Sequence, residues 1–316
     1  MKRICCIGVV TTDILVKPVD SLPAPGVLQQ VDSVAMHMGG CASNAAADLA
    51  ILGIPQTLIT KVGNDSFGRF VTEYLMEKGV ALDGVRVDPS VATTVSVVCV
   101  APNGERSFLY NPSSNDAISL GDIDRSLVKR CDIVFVAGAL LMRQFDGTQC
   151  ASLLRDCRLS GQYTVMDTAW DFRGRWLDGV RESLAHLDLF MPSYAEAREI
   201  TGRNDPAGQA EFLIDLGVQN VVIKLGADGA FVREADGECY RVDSYRVDKP
   251  ADTTGAGDSF CAGFLAGLAN DLPYRDCARL GNAVGAHCVT AIGATSGIRP
   301  YDEMIAFIQQ RAVEEC

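Results

Sequence analysis

Residues 250–269 read PADTTGAGDSFCAGFLAGLA, with Gly255, Ala256 and Gly257 set directly before Asp258 and a run of small, apolar residues. A helix N-terminus leaves its first backbone N–H groups unpaired and carries the positive end of the dipole, so it attracts anions. Glycine at 255 and 257 removes side chains that would block close approach and permits positive φ, so successive N–H groups can converge. A carboxylate at that point would repel a phosphate. Asp258 makes chemical sense if it takes the proton of an alcohol that attacks the phosphate, because an anion hole beside a base is the least that phosphoryl transfer requires. The plainer alternative is a helix cap and a turn, with Ala262, Gly263, Ala266 and Gly267 saying only that the helix packs closely. This stretch alone leaves both open.

The surrounding chain narrows the choice. It has 316 residues, 22% charged and 48% hydrophobic, with a formal charge of −12. That is ordinary globular composition, and the acidic balance argues against nucleic acid or an anionic membrane as partner. No apolar run approaches the roughly 18 residues of a membrane span. MKRICCIGVVTTDILV at the start is interrupted by Asp13 and is expected to be a buried first strand rather than a signal peptide. The twelve cysteines are scattered with no C-x-x-C pair, which reads as reduced core thiols of a cytoplasmic protein rather than disulfides or a zinc site.

Short apolar runs at 3–10, 57–62, 132–137, 163–167, 187–191 and 220–225 alternate with helical patterns at 65–79, 147–159 and 207–216. The chain from 258 onward is mostly helical in pattern, at 258–270, 274–291 and 301–314. This order implies an α/β fold with a mainly parallel central sheet covered on both faces. Two regions break the rhythm: 14–38, and 92–111, where two alternating runs flank the Asn-Gly turn of APNGE. They are expected to form a small antiparallel sheet on a single domain spanning 1–316. The P-loop, G-x-G-x-x-G and H-E-x-x-H patterns are absent.

A second glycine cluster, MGGCASNAAADLAILG at 38–53, puts Gly39 and Gly40 before a helix with Asn44 in its first turns and Gly53 at its end. Together with DTTGAGDSF at 252–260 it resembles the two signature motifs of the PfkB (ribokinase-like) family of ATP-dependent sugar and nucleoside kinases. KVGNDSFGRF at 61–70 and KLGADGAF at 224–231 are also similar to segments of that family, so the resemblance covers nearly the whole chain.

The resemblance implies a three-layer αβα sandwich carrying a β lid, with ATP and Mg2+ as cofactors. It makes Asp258 the base and the N–H groups of Gly255, Ala256 and Gly257 the hole for the transferring phosphate. Asp13, at the end of the first strand, and Gly39, Gly40 and Asn44 would hold the sugar. Lys224, Gly226 and Gly229 would lie around the phosphates and ribose, with Asn282 near the adenine. Asp252 and Thr254 stand where relatives bind a monovalent cation, K+, through backbone carbonyls. The family's N-x-x-E, which organises magnesium, is here PSYAEA, with Ser193 for the asparagine and Glu196 kept.

Cys41 replaces a lysine common in kinases of sugar phosphates, which favours an unphosphorylated acceptor. MDTAWDFRGRW at 166–176 resembles the D-x-N-x-R…W segment of keto-sugar-acid kinases and fructokinases, but Ala169 and Asp171 stand at the asparagine and arginine positions, with Arg173 and Arg175 nearby. Trp170 and Trp176 are expected in the core or at the rim. Arg106 is expected in solvent, the alternative being a carboxylate partner. A neutral sugar or related polyol is the first expectation for the acceptor and a nucleoside the second, and a homodimer through the lid is implied. A catalytically silent sugar-binding protein is the rival reading.

Overall fold

A computed structural model describes residues 1–314. Its thirteen strands are β1 (Ile4–Gly8), β2 (Thr11–Lys17), β3 (Ser33–Gly39), β4 (Gln56–Gly63), β5 (Val85–Asp88), β6 (Val95–Val100), β7 (Arg106–Asn111), β8 (Ile133–Ala139), β9 (Tyr163–Thr168), β10 (Leu189–Phe190), β11 (Asn220–Lys224), β12 (Ala230–Arg233) and β13 (Cys239–Val242). Its helices are α1 (Cys41–Ile51), α2 (Ser66–Glu77), α3 (Ser113–Asp116), α4 (Arg125–Val128), α5 (Thr148–Leu159), α6 (Leu177–Leu184), α7 (Tyr194–Thr201), α8 (Pro206–Asp215), α9 (Ala256–Ala269), α10 (Tyr274–Cys288) and α11 (Tyr301–Glu314).

Nine strands form the main sheet in the order β13-β12-β11-β10-β9-β8-β1-β4-β5. All run parallel except β12, which opposes both neighbours. The central strands are buried on both faces, as near-continuous apolar sequences such as ICCIG and IVFVAGA require. One apolar cluster packs that sheet against α1, α9 and α10, and the other packs it against α5, α6, α7 and α8. The expected three-layer arrangement is therefore present. Among the described residues no helix is long and apolar enough to cross a membrane. Eleven cysteines fall among the described residues, all free and most of them buried; Cys316 lies outside the described residues.

The remaining four strands form a separate sheet in the order β3-β2-β6-β7. The first strand ends earlier than the sequence suggested. Parallel pairing of β1 with β8 stops at Gly8, and from Thr11 onward the chain pairs with Gly39 and Val95 instead. Val9 and Val10, buried in opposite clusters, make the crossing, and Val10 N–H bonds the Asn115 side chain rather than the ladder. Asp13 is thus a residue of the lid, not of the end of the first strand. The lid takes in 11–39 and 95–111, slightly more than 14–38 at its start and less than 92–111, with Gly104 at φ +88° in the hairpin turn.

Candidate active site

The N-termini of α1 and α9 converge at the carboxyl ends of the central strands, where open parallel sheets place their ligands. Two glycines allow it. Gly40 caps α1 at φ +99°, and a Cβ there would come within 2.6 Å of Val9 O. Gly255 caps α9 at φ +79°, and a Cβ would meet that of Ala294 at 2.4 Å. α9 begins two residues earlier than the pattern suggested, so Asp258 lies in the first turn, with Ala256 and Gly257 ahead of it inside the helix.

Asp258 and Asn44, 214 positions apart, are joined by a 2.8 Å hydrogen bond from Nδ2 to Oδ2. Asn44 Oδ1 is buried with no partner, an acceptor left for a ligand hydroxyl. Burial raises Asp258 above the usual carboxylate range, and the Asn44 amide and Lys224 ammonium oppose that rise. Asp13 is pushed up to about 7, first by burial and then by repulsion from Asp258 and Asp252. A Cβ on Gly39 would fall 2.1 Å from Asp13 Oδ2. Asp13, Gly39, Gly40, Asn44 and Asp258 therefore form one group.

An open cavity of about 620 Å3 adjoins it on the other side of the α9 N-terminus, lined by Lys224, Gly226, Gly229, Ala256, Gly257 and Asn282 among others. Asn282 spends its amide N–H groups on Val242 O and Asp243 O, 2.9 and 3.0 Å away, so it shapes the wall by tying α10 to the chain after β13. Lys224 Nζ bonds Asp167 Oδ1 at 2.7 Å. Burial alone would push both partners toward neutrality; attraction to Asp167 outweighs it for the lysine, which stays well above its ordinary pKa. A Cβ on Gly257 would lie 3.5 Å from that ammonium, so the positive charge sits beside the α9 N-terminus.

Glu196 lies in the same neighbourhood. Its Oε2 accepts from Ser193 N–H at 2.9 Å and from the Thr168 hydroxyl at 3.1 Å. Ser193 Oγ accepts from Glu196 N–H in return, a capping box on α7. Serine at the asparagine position thus starts the helix and fixes the glutamate. Among the described residues no three His, Cys, Asp or Glu side chains converge on a metal position.

Sequence reasoning missed several groups. Asp167 lies at the end of β9, next but one to β11 across the short β10; an acidic residue at a strand's carboxyl end was the available signal. Burial, and after it the Asp258 charge, pushes the Cys41 thiol well above its ordinary value, so it enters the site as a neutral group. Arg106 is not in solvent: Nη2 bonds Asp252 Oδ1 at 2.6 Å, and Nη1 bonds Thr254 Oγ1. Against burial, which would raise it, the N–H groups of Thr254 and Gly293 and the Arg106 guanidinium hold Asp252 at about 2. Arg173 pairs with Asp116, and Arg175 with Asp146. Trp170 is exposed and packs edge-on against half-buried Trp176, their ring centres 4.9 Å apart, so the pair belongs to the rim.

Comparison with known proteins gives a consistent result. The sequence pattern of the pfkB family carbohydrate kinases matches residues 1–300. A 2-dehydro-3-deoxygluconokinase of Bacillus subtilis (strain 168) is 29% identical over 92% of each chain. The structure of an Arabidopsis thaliana ribokinase complexed with ribose and ATP superposes with a TM-score of 0.84 at 22% identity, covering 98% of this chain and 99% of that one. A fructokinase double mutant of Vibrio cholerae O395, in a form with fructose, ADP and potassium ion bound, does so with a TM-score of 0.80 at 23% identity over 98% of each chain.

Proposed function

The chain belongs to the pfkB family of carbohydrate kinases, and we propose that within it this protein phosphorylates a hydroxyl of a small, uncharged sugar. It is an ATP-dependent carbohydrate kinase. The reading of the site rests above all on the Asn44–Asp258 bond, which unites the two glycine motifs at the N-terminus of α9. The acceptor hydroxyl would lie against Asp258, whose raised pKa suits it to take the proton as the oxygen attacks. The N–H groups of Gly255, Ala256 and Gly257 and the Lys224 ammonium would receive the negative charge of the transferring phosphate. The adjoining cavity, edged by Gly226, Gly229 and Asn282, would take the nucleotide.

Magnesium bound with ATP would supply positive charge to the transferring phosphates. The all-oxygen set of Glu196, Thr168 and Ser193 suits an ion that keeps its waters, and Glu196 would hold that shell. The uncharged acceptor is argued from charge. Asp13 and Asp258 make the acceptor side acidic, Cys41 carries no positive charge, and Arg106, Arg173 and Arg175 are each matched by a protein carboxylate. A sugar phosphate or sugar acid would meet repulsion, offset only by the donors that Arg173 Nη1 and Arg175 Nε leave unpartnered. A nucleoside is the second reading, since it too is uncharged.

The outward face of the lid is apolar. Strand register puts Ile14, Val16, Val34, Met36, Val97 and Leu109 together on it, and Val34, Met36 and Leu109 are exposed. A second copy of the chain would cover it, giving a homodimer. Free cysteines suit a cytoplasmic protein. The deciding experiment is ADP release with magnesium-ATP against a panel of neutral sugars, sugar acids, sugar phosphates and nucleosides, with Asp258→Asn as the blank. Stimulation by a neutral sugar in the intact protein alone supports the reading; stimulation by an acidic sugar alone overturns the acceptor assignment.

A further inference from the structure

Arg106 opens β7 and lies on the side of the lid that faces the site. It stands opposite Val100, and its strand neighbours on that side, Phe108 and Tyr110, stand opposite Val98 and Ser96; Ser96 in turn is beside Asp13. From there the guanidinium crosses 146 positions of sequence to the loop that leads into the anion hole. The Asp252 carboxylate is fully engaged by what surrounds it. Oδ1 accepts from Arg106 and from Thr254 N–H at 2.9 Å, and Oδ2 accepts from Gly293 N–H at 3.1 Å. The Thr254 hydroxyl accepts from Arg106, and the Cys288 thiol lies 3.4 Å from the Thr254 carbonyl and 3.1 Å from Ala294 O.

The family resemblance implied a potassium ion beside these two residues. The groups present do not fit one: the single carboxylate is already neutralised, and a second cation would lie against a guanidinium of the same sign. We propose that Arg106 takes the place of the monovalent cation, so that the lid itself delivers the positive charge flanking the anion hole and turnover needs no potassium. The inference rests on the kinase reading above. It makes Arg106 a positioning residue: it fixes Asp252 and Thr254, and through them the turn at Gly255, only when the lid lies over the site.

The test compares wild type and Arg106→Met in potassium chloride and in tetramethylammonium chloride at equal ionic strength. Melting temperature is read first, because it needs no acceptor; turnover follows with the acceptor that the ADP-release panel identifies. Wild type should melt at one temperature and turn over at one rate in both salts. R106M should lose roughly tenfold or more in kcat, regain part of it with potassium or guanidinium ions, and show a potassium-specific rise in melting temperature that wild type lacks. A wild-type protein that potassium specifically stabilises or accelerates overturns the proposal. So does an R106M as active as wild type, or one whose loss neither cation reduces. If R106M does not fold, Arg106→Lys replaces it, with most of the turnover and the indifference to potassium expected to survive. Failure of the kinase reading would show separately, as absence of ATP consumption with every acceptor.

Discussion

Asp258 and Asp13 are two half-buried carboxylates in one site, and their burdens differ. As the proposed base Asp258 would need its charge for the reaction, so Asp258→Asn should lower kcat by roughly 10²–10⁴-fold with a melting curve close to wild type; near-normal turnover would remove it from that role. Asp13 bears the repulsion. Its pKa of about 7 in the fold exceeds the ordinary ~3.9 of an unfolded chain, so the fold favours its protonated form. That contribution is whole below the unfolded value and is lost as pH rises through about 7. Asp13→Asn should therefore match wild type at low pH and exceed it above neutrality by ~1–4 kcal/mol, measured by denaturant titration across that range. An unchanged pH slope would show that Asp13 is not the group responsible. At this scale the sequence was informative where a motif concentrates the chemistry, as at 255–258 and at Asn44. It favoured solvent for Arg106 over the carboxylate it meets and gave Asp167 no role, because their partners are chosen by strand register and by which strand ends become neighbours.

The α9–α10 hairpin carries the turn at Gly255–Gly257, and its helices pack closely because side chains are absent at the contact. A Cβ on Gly263 would lie 2.8 Å from Leu280 O, and one on Gly281 would lie 2.9 Å from Phe260 O. Helix propensity alone would favour Gly263→Ala by ~1 kcal/mol, whereas overpacking against a neighbouring backbone costs ~1–3 kcal/mol. The second effect should win, so G263A is expected to lower the urea midpoint, with ATP KM rising as the α9 terminus shifts; a higher midpoint would mean the helices can part. The small residues at 262–267 announced this packing in the sequence. Element types and order were legible as well, since burial on both faces writes continuous apolar runs. Ends were less so. The two-residue β10 and the break between β1 and β2 depend on pairing partners far away, and α10 stops at Cys288, not 291, where Val289 O turns to accept from Ala251 N–H.

Across the whole molecule, the lid is where the proposed chemistry and the proposed dimer would meet. Its outward apolar residues are expected to hold two copies together, so Leu109→Lys combined with Val34→Lys should yield a monomer by light scattering while the isolated site chemistry persists. A dimer unaffected by both changes would locate the contact elsewhere. Alternation in 92–111 made the lid visible in the sequence; that it bends back over residues 252–254 was not, since no local pattern encodes a contact at that separation. Neighbouring residues of β7 point to opposite sides, so adhesion and chemistry are interleaved one residue apart. A slip of β7 by one residue along β6 would leave composition and hairpin intact, yet turn Arg106 and Tyr110 toward solvent and Leu109 toward the site. What is held to parity is therefore the register of β7 on β6: an even slip would keep each face's character, and an odd one would exchange the face proposed for adhesion with the face turned to the chemistry.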